Sequence, residues 1–127
     1  MFKALIVEDD PLFRQILKEI LASKFPAISI KEAAHGVEAL RKLDMNHLDL
    51  IFMDIKLPGM NGLELTKRIK ESHPGIPVII LTNHDTPEYR KAAFECGADY
   101  FISKASSIEQ EIEMAAQSIS ARGQTQP

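Results

Sequence analysis

Tryptophan is absent, cysteine occurs once, and aromatic residues make up only 6% of the 127-residue chain. With Cys96 as the sole thiol, no disulfide can form within the chain, so stability must come from packing. No apolar run approaches the roughly 20 residues that a membrane span requires. The opening MFKALIVEDD has a short apolar run that ends in acids and lacks a signal-peptide pattern, so the expected compartment is the cytoplasm. A net charge of -3 provides no electrostatic footprint for nucleic acid. Neither glycine-rich phosphate cradle, G-x-x-x-x-G-K or G-x-G-x-x-G, is present, which excludes the usual nucleotide sites. No His or Cys spacing matches a zinc centre. Internal repeats and low-complexity blocks are also missing.

Apolar residues make up 45% and charged residues 26%, ordinary for a soluble globular domain. We expect one domain over residues 1–121, with 122–127 as a C-terminal tail or linker stub. The most informative stretch is LDLIFMDIKLPGMNG, Leu48 to Gly62. Leu50 to Met53 form a short continuous apolar run, as in a parallel-sheet strand buried on both faces. Asp54 follows at its C-terminal end, and Pro58, Gly59, Asn61 and Gly62 then turn the chain. A carboxylate there is costly unless it meets a partner.

Four other strands frame this one. Lys3 to Val7 ends in Glu8, Asp9 and Asp10, and Asp10–Pro11 opens a helix whose Leu12, Phe13, Ile16, Leu17, Ile20 and Leu21 form an apolar stripe. Ile28 to Ala33 is a weaker strand, followed from Gly36 by a short helix with Val37, Leu40 and Leu43. Asn61 and Glu64 have the spacing of a capping-box variant. Pro77 to Leu81 ends in Thr82, and Thr86–Pro87 starts a helix for which Gly97 is the C′ residue. In that helix Cys96 reads as a small core residue, and Phe94 faces either a partner or a neighbouring helix. Tyr100 to Ser103 ends in Lys104, and Ser106 or Ser107 caps a last helix with Ile108, Ile112, Ala115, Ala116 and Ile119 on one face. A strand–helix unit repeated five times implies an α/β three-layer sandwich, the flavodoxin-like (βα)5 arrangement, with parallel strand order 2-1-3-4-5.

That order brings Glu8, Asp9, Asp54, Thr82 and Lys104 to one edge of the sheet, where open α/β sheets bind ligands. Three carboxylates together repel one another unless a cation intervenes. Oxygen ligands with room for water suit Mg²⁺. A metal, the Lys104 ammonium and the Thr82 hydroxyl around Asp54 form a receptor for a phosphoryl group. Asp54 can then act as a nucleophile and form an aspartyl phosphate.

At this point the residues match a family. The pieces LIVEDD with Pro11, MDIKLPGMNGLEL, VIILT and GADYFISK, in this order, closely resemble the receiver domain of two-component response regulators over Lys3 to Ser120. The resemblance implies that Asp54 is the phosphoacceptor, that Asp9 contacts the metal directly and Glu8 through water, and that Lys56 offers its backbone carbonyl to the metal. It implies that Thr82 and Lys104 bind phosphoryl oxygens and that Phe101 is the aromatic switch residue. It further implies phosphoryl transfer from a sensor histidine kinase or phosphotransfer protein, self-catalysed hydrolysis, and a changed surface on the fourth helix, which starts at Thr86–Pro87, the fifth strand, Tyr100 to Ser103, and the last helix. That surface would act on an output domain or downstream protein and support a homodimer on phosphorylation. The segment SKASS is similar to receivers whose regulators carry a LuxR-type output domain, hence transcription regulation. Asn83 stands where many members have a small residue, and Ala105 where many have proline.

Two other readings compete. A phosphate-independent pseudo-receiver would share the fold and act only as an interaction module, but Asp54, the acid pair and Lys104 are all present. A phosphatase of the haloacid-dehalogenase type would need a second Asp where Lys56 stands, and a cap insertion.

Overall fold

The five apolar runs become five strands in the computed structural model, which describes residues 2–45 and 47–124. The strands are β1 (Lys3–Val7), β2 (Ser29–Ala33), β3 (Leu50–Met53), β4 (Val78–Thr82) and β5 (Tyr100–Ser103). The helices are α1 (Pro11–Lys24), α2 (Gly36–Met45), α3 (Gly62–Ser72), α4 (Pro87–Glu95) and α5 (Ile108–Gln124). All pairings are parallel and the order is β2-β1-β3-β4-β5. The expected flavodoxin-like (βα)5 sandwich is thus observed. Helix α5 includes residues 122–124 of the expected tail, and 125–127 lie outside the described residues.

Strand alternation builds two cores. Leu5, Val7, Ile51, Met53, Val78, Ile80 and Phe101 face one side with Leu43 of α2, Leu65 and Ile69 of α3 and Ala93 of α4. Ala4, Ile6, Leu50, Phe52, Ile79, Leu81 and Ile102 face the other with Leu17 and Leu21 of α1 and Ile112, Ala116 and Ile119 of α5. Because β3 and β4 are wholly buried, successive apolar residues serve opposite layers. Each large side chain so buried contributes about 1.5–3 kcal/mol of transfer free energy. Edge strand β2 is held partly by charge: Glu32 pairs with Arg14 at 3.1 Å and Lys18 at 3.1 Å.

Several local expectations change in the folded chain. The six-residue α1 stripe spans roughly half the helix circumference at about 100° per residue, more than one sheet face covers. Leu17 and Leu21 are buried, while Leu12 is 71% and Ile16 42% exposed. Val37 of α2 is likewise exposed. Asn61 caps α3 by accepting from the Leu63 amide at 2.7 Å, but Glu64 turns to Arg68 at 3.9 Å instead of completing a capping box. At α5, the Ser106 hydroxyl bonds the Ser103 carbonyl at 2.7 Å and the Glu111 carboxylate, and Ser107 contributes its carbonyl to Glu111. Cys96 is half-buried at the α4 C-cap, not a core residue, and Phe94 faces outward.

Gly97 ends α4 as expected. Its φ is 102°, its amide bonds the Phe94 carbonyl at 3.0 Å, and the Ala98 amide bonds the Ala93 carbonyl at 3.0 Å. This pair of bonds is a Schellman motif. Gly97→Ala should lower stability by about 1–2 kcal/mol, because a Cβ disfavours the left-handed conformation. Urea unfolding should show a lower midpoint with an unchanged slope.

Candidate phosphoryl-acceptor site

Register brings the acids together. Val7 pairs with Met53, so the next residues, Glu8 and Asp54, leave neighbouring strands side by side. The Asp54 amide bonds the Val7 carbonyl at 3.1 Å and the Glu8 amide bonds the Ala33 carbonyl at 2.9 Å. Carboxylate oxygens of Glu8, Asp9 and Asp54 all lie within 4.8 Å of one another. Glu8 and Asp54 are buried and Asp9 is exposed, so the cluster opens to solvent on the Asp9 side. The Asp54 carboxylate accepts from the Ile55 amide at 2.8 Å, and Glu8 accepts from the Asp10 amide at 3.1 Å. Arg14 donates to the Glu8 carbonyl at 2.7 Å. Asp10 is therefore free to cap α1, where it accepts from Leu12 at 3.0 Å.

Lys104 enters from the end of β5. Thr82 pairs with Ser103, and the Lys104 amide bonds the Thr82 carbonyl at 2.8 Å. Its ammonium lies 2.6 Å from a Glu8 oxygen and 3.7 Å from an Asp54 oxygen, with the side chain 10% exposed. Burial pushes the Glu8 carboxyl above its ordinary value, the Lys104 bond opposes this, and the Asp54 charge adds to the rise. Three carboxylates against one ammonium leave a net negative pocket. Hard oxygen donors at this spacing fit a divalent cation better than a soft metal.

The fold thus joins Glu8, Asp9, Asp54 and Lys104. Thr82 is fully buried, and its hydroxyl accepts from the His84 amide at 3.1 Å, tied to its own loop. Lys56 is exposed, with its ammonium 5.5 Å from the centre of the Tyr89 ring. His84 also meets that ring, 5.7 Å between centroids. Phe101 is buried in the core layer of α2, α3 and α4, and the Arg90 guanidinium covers it at 4.5 Å. Asn83 is exposed. Sequence reasoning missed Phe13, whose ring centre lies 4.1 Å from the Lys104 ammonium. It also missed Gly62, whose amide bonds the Ile55 carbonyl at 2.8 Å directly behind Asp54.

Residues 4–116 match the family model of the response regulator receiver domain. The chain is 33% identical over 115 residues to the DNA-binding transcriptional regulator NtrC of Escherichia coli K12, covering 91% of this chain and 24% of that protein. It is 31% identical over 108 residues to the response regulator MprA of a Mycobacterium species, covering 85% and 46% respectively. It therefore spans less than half the length of these curated relatives. Among solved structures, a CheY-like receiver domain protein from Methanospirillum hungatei superposes with a TM-score of 0.86 at 28% identity, over 99% of both chains. A LuxR-family DNA-binding response regulator from Staphylococcus aureus superposes with a TM-score of 0.84 at 27% identity, over 94% of this chain and 98% of that one.

Proposed function

This chain belongs to the response regulator receiver domain family of two-component systems, and from that membership we propose that Asp54 accepts a phosphoryl group and that its phosphorylation switches a signalling surface. The observation that carries this reading is the cluster of Glu8, Asp9 and Asp54 with the Lys104 ammonium between two of them. A phosphate-independent module is not favoured, since every acid of the cluster and the lysine are in place.

In the proposed reaction an Asp54 carboxylate oxygen attacks phosphorus, and the bond from phosphorus to a phosphohistidine nitrogen of a sensor kinase or phosphotransfer protein breaks. The electron pair leaves with the imidazole, which becomes neutral or takes a proton from solvent. Water later attacks the acyl phosphate, restoring the carboxylate and releasing inorganic phosphate. Glu8, Asp9, Asp54 and the Lys56 carbonyl would hold Mg²⁺, which when bound neutralises charge on the phosphoryl oxygens. Lys104 approaches one of those oxygens, and Thr82 gives up its bond to His84 to approach another. Movement of Thr82 frees room near Phe101 and alters the face of α4, β5 and α5. That face would act on an output domain or downstream protein, by dimerisation or by direct contact, with residues 1–121 as the receiver domain and 122–127 as a C-terminal tail or linker stub. Among the described residues no helix is long and apolar enough to cross a membrane; we place the domain in the cytoplasm.

Intact mass after incubation with acetyl phosphate tests the reading. The protein should gain one phosphoryl group only when Mg²⁺ is present, and Asp54→Ala should gain none. An adduct of equal yield in Asp54→Ala would reject Asp54 as the acceptor. If no adduct forms at any Mg²⁺ concentration in either the native chain or Asn83→Ala, phosphoryl acceptance itself is rejected.

A further inference from the structure

Lys104 is held by more than its two acids. An ammonium has three donors and no acceptor. One donor is taken by Glu8 at 2.6 Å, and the Asp54 oxygen at 3.7 Å is too far for a full hydrogen bond. Among the described residues a further contact is with an aromatic ring. The Phe13 ring lies 4.1 Å from the nitrogen, well inside the range of a cation–π contact. Phe13 is itself fixed. It occupies the first turn of α1, whose start is set by Asp10 and Pro11, and its half-buried ring packs on the layer formed by α1 and α5.

We propose that Phe13 is a positioning residue for the phosphoryl transfer: its ring face holds the Lys104 ammonium beside Asp54, leaving a donor directed toward the reacting oxygens. This rests on the reading of Asp54 as the phosphoacceptor. The ring suits the task because it competes for nothing else in the site. Glu8 has two claims on it, from Lys104 and from a divalent cation, and cannot serve both fully. A benzene face binds the ammonium but neither accepts a phosphoryl group nor ligates a hard cation. The contact therefore persists when the charge of Glu8 is shared. Without the ring, a long flexible stem would leave the ammonium free to follow Glu8 or water.

The test compares Phe13→Leu and Phe13→Tyr, each alone and in a Lys104→Met background. The rate of adduct formation from acetyl phosphate is read by mass, and the Lys104 side-chain protons are read by NMR in the metal-free protein. Phe13→Leu should slow the adduct about five-fold or more, Phe13→Tyr should stay within about two-fold, and Phe13→Leu should add no further loss to Lys104→Met. The Lys104 ε-protons, shifted upfield by the ring, should return toward ordinary positions in Phe13→Leu only. A fluorinated phenylalanine at position 13 keeps the shape and weakens the ring face, so it should slow the adduct even if leucine disturbs folding. A Phe13→Leu rate within two-fold of the native chain, an equal loss in both backgrounds, or an unshifted Lys104 in the native chain would overturn the proposal. If the native chain forms no adduct, the acceptor reading fails instead, and the NMR contact still decides the placement of Lys104.

Discussion

Gly62→Ala should cost the domain about 3 kcal/mol or more and displace Asp54 with it. A Cβ added at Gly62 would lie 1.9 Å from the Asp54 carbonyl oxygen and 2.9 Å from both the Asp54 carbonyl carbon and the Ile55 Cα. All three are backbone atoms, so no side-chain rotation relieves the overlap. Either α3 retreats or the peptide after Asp54 moves. Retreat would stretch the 2.8 Å bond from the Gly62 amide to the Ile55 carbonyl, the tie that seats α3 behind the site. Overpacking alone costs about 1–3 kcal/mol, and a lost buried hydrogen bond adds about 1 kcal/mol. Against a typical domain stability of about 5–15 kcal/mol this is a large fraction. Gly75, with open space around its position and no positive φ, is the control: Gly75→Ala should be neutral or slightly stabilising. Urea unfolding of both variants decides the matter, and a Gly62→Ala midpoint matching that of the native chain would show that the loop yields easily. Where the variant still folds, phosphoryl acceptance should fall at least about ten-fold, since small misplacements of a reacting group are costly.

Lys104→Met should slow phosphoryl acceptance about 100-fold, the usual loss when one preorganised donor to a developing charge is removed. Methionine keeps much of the volume and lacks the charge. The same change should make stability more sensitive to pH. Burial already raises the Glu8 carboxyl above 4.5, and the Lys104 bond is the strongest influence holding it down. Without that bond the folded-state value rises further. Well below pH 4.5 Glu8 is protonated in both folded and unfolded chains, so the gap between the variant and the native chain should be smallest at the acid end. As pH rises through the raised folded value, the folded state must give up a proton it holds more tightly than the unfolded state does. Stability contributed by this group is then lost, more in the variant than in the native chain. Thermal melts from pH 4 to 8 should therefore diverge as pH increases. A gap that is constant or that narrows with pH would contradict the role given to the Lys104–Glu8 pair.

Much of this arrangement is legible in the sequence because it depends on short-range rules. Leu50 to Met53 and Val78 to Leu81 are too short and too evenly apolar for surface helices, and their ends mark where polar groups can emerge. Parallel order then sets Glu8 beside Asp54 and Lys104 across from both. What escapes the sequence depends on approach between distant segments. Gly62 reads as one more turn former, since nothing in its neighbourhood says that a carbonyl from Asp54 will pass so close. Phe13 reads as one member of an apolar stripe, since the cation above it comes from β5. Leu12 and Ile16 match the same stripe yet remain exposed, because the period of a helix does not say how wide an arc its neighbours will cover. The Thr82 hydroxyl reads as a site group from its place at a strand end, whereas its hydrogen bond to the His84 amide two residues on follows from the loop's own geometry.

The ion pair between Glu8 and Lys104 joins residues 96 positions apart. During synthesis, all three acids leave the ribosome long before their counter-charge. Strands β1 and β3, which carry the acids, are central in the sheet, while β5 is an edge that docks on β4. Asp54 therefore sits in a growing chain without the ammonium it meets in the fold, and the last strand to arrive both finishes the sheet and brings Lys104 beside it. On the proposed function, readiness to accept a phosphoryl group would report that the chain has been made through Lys104.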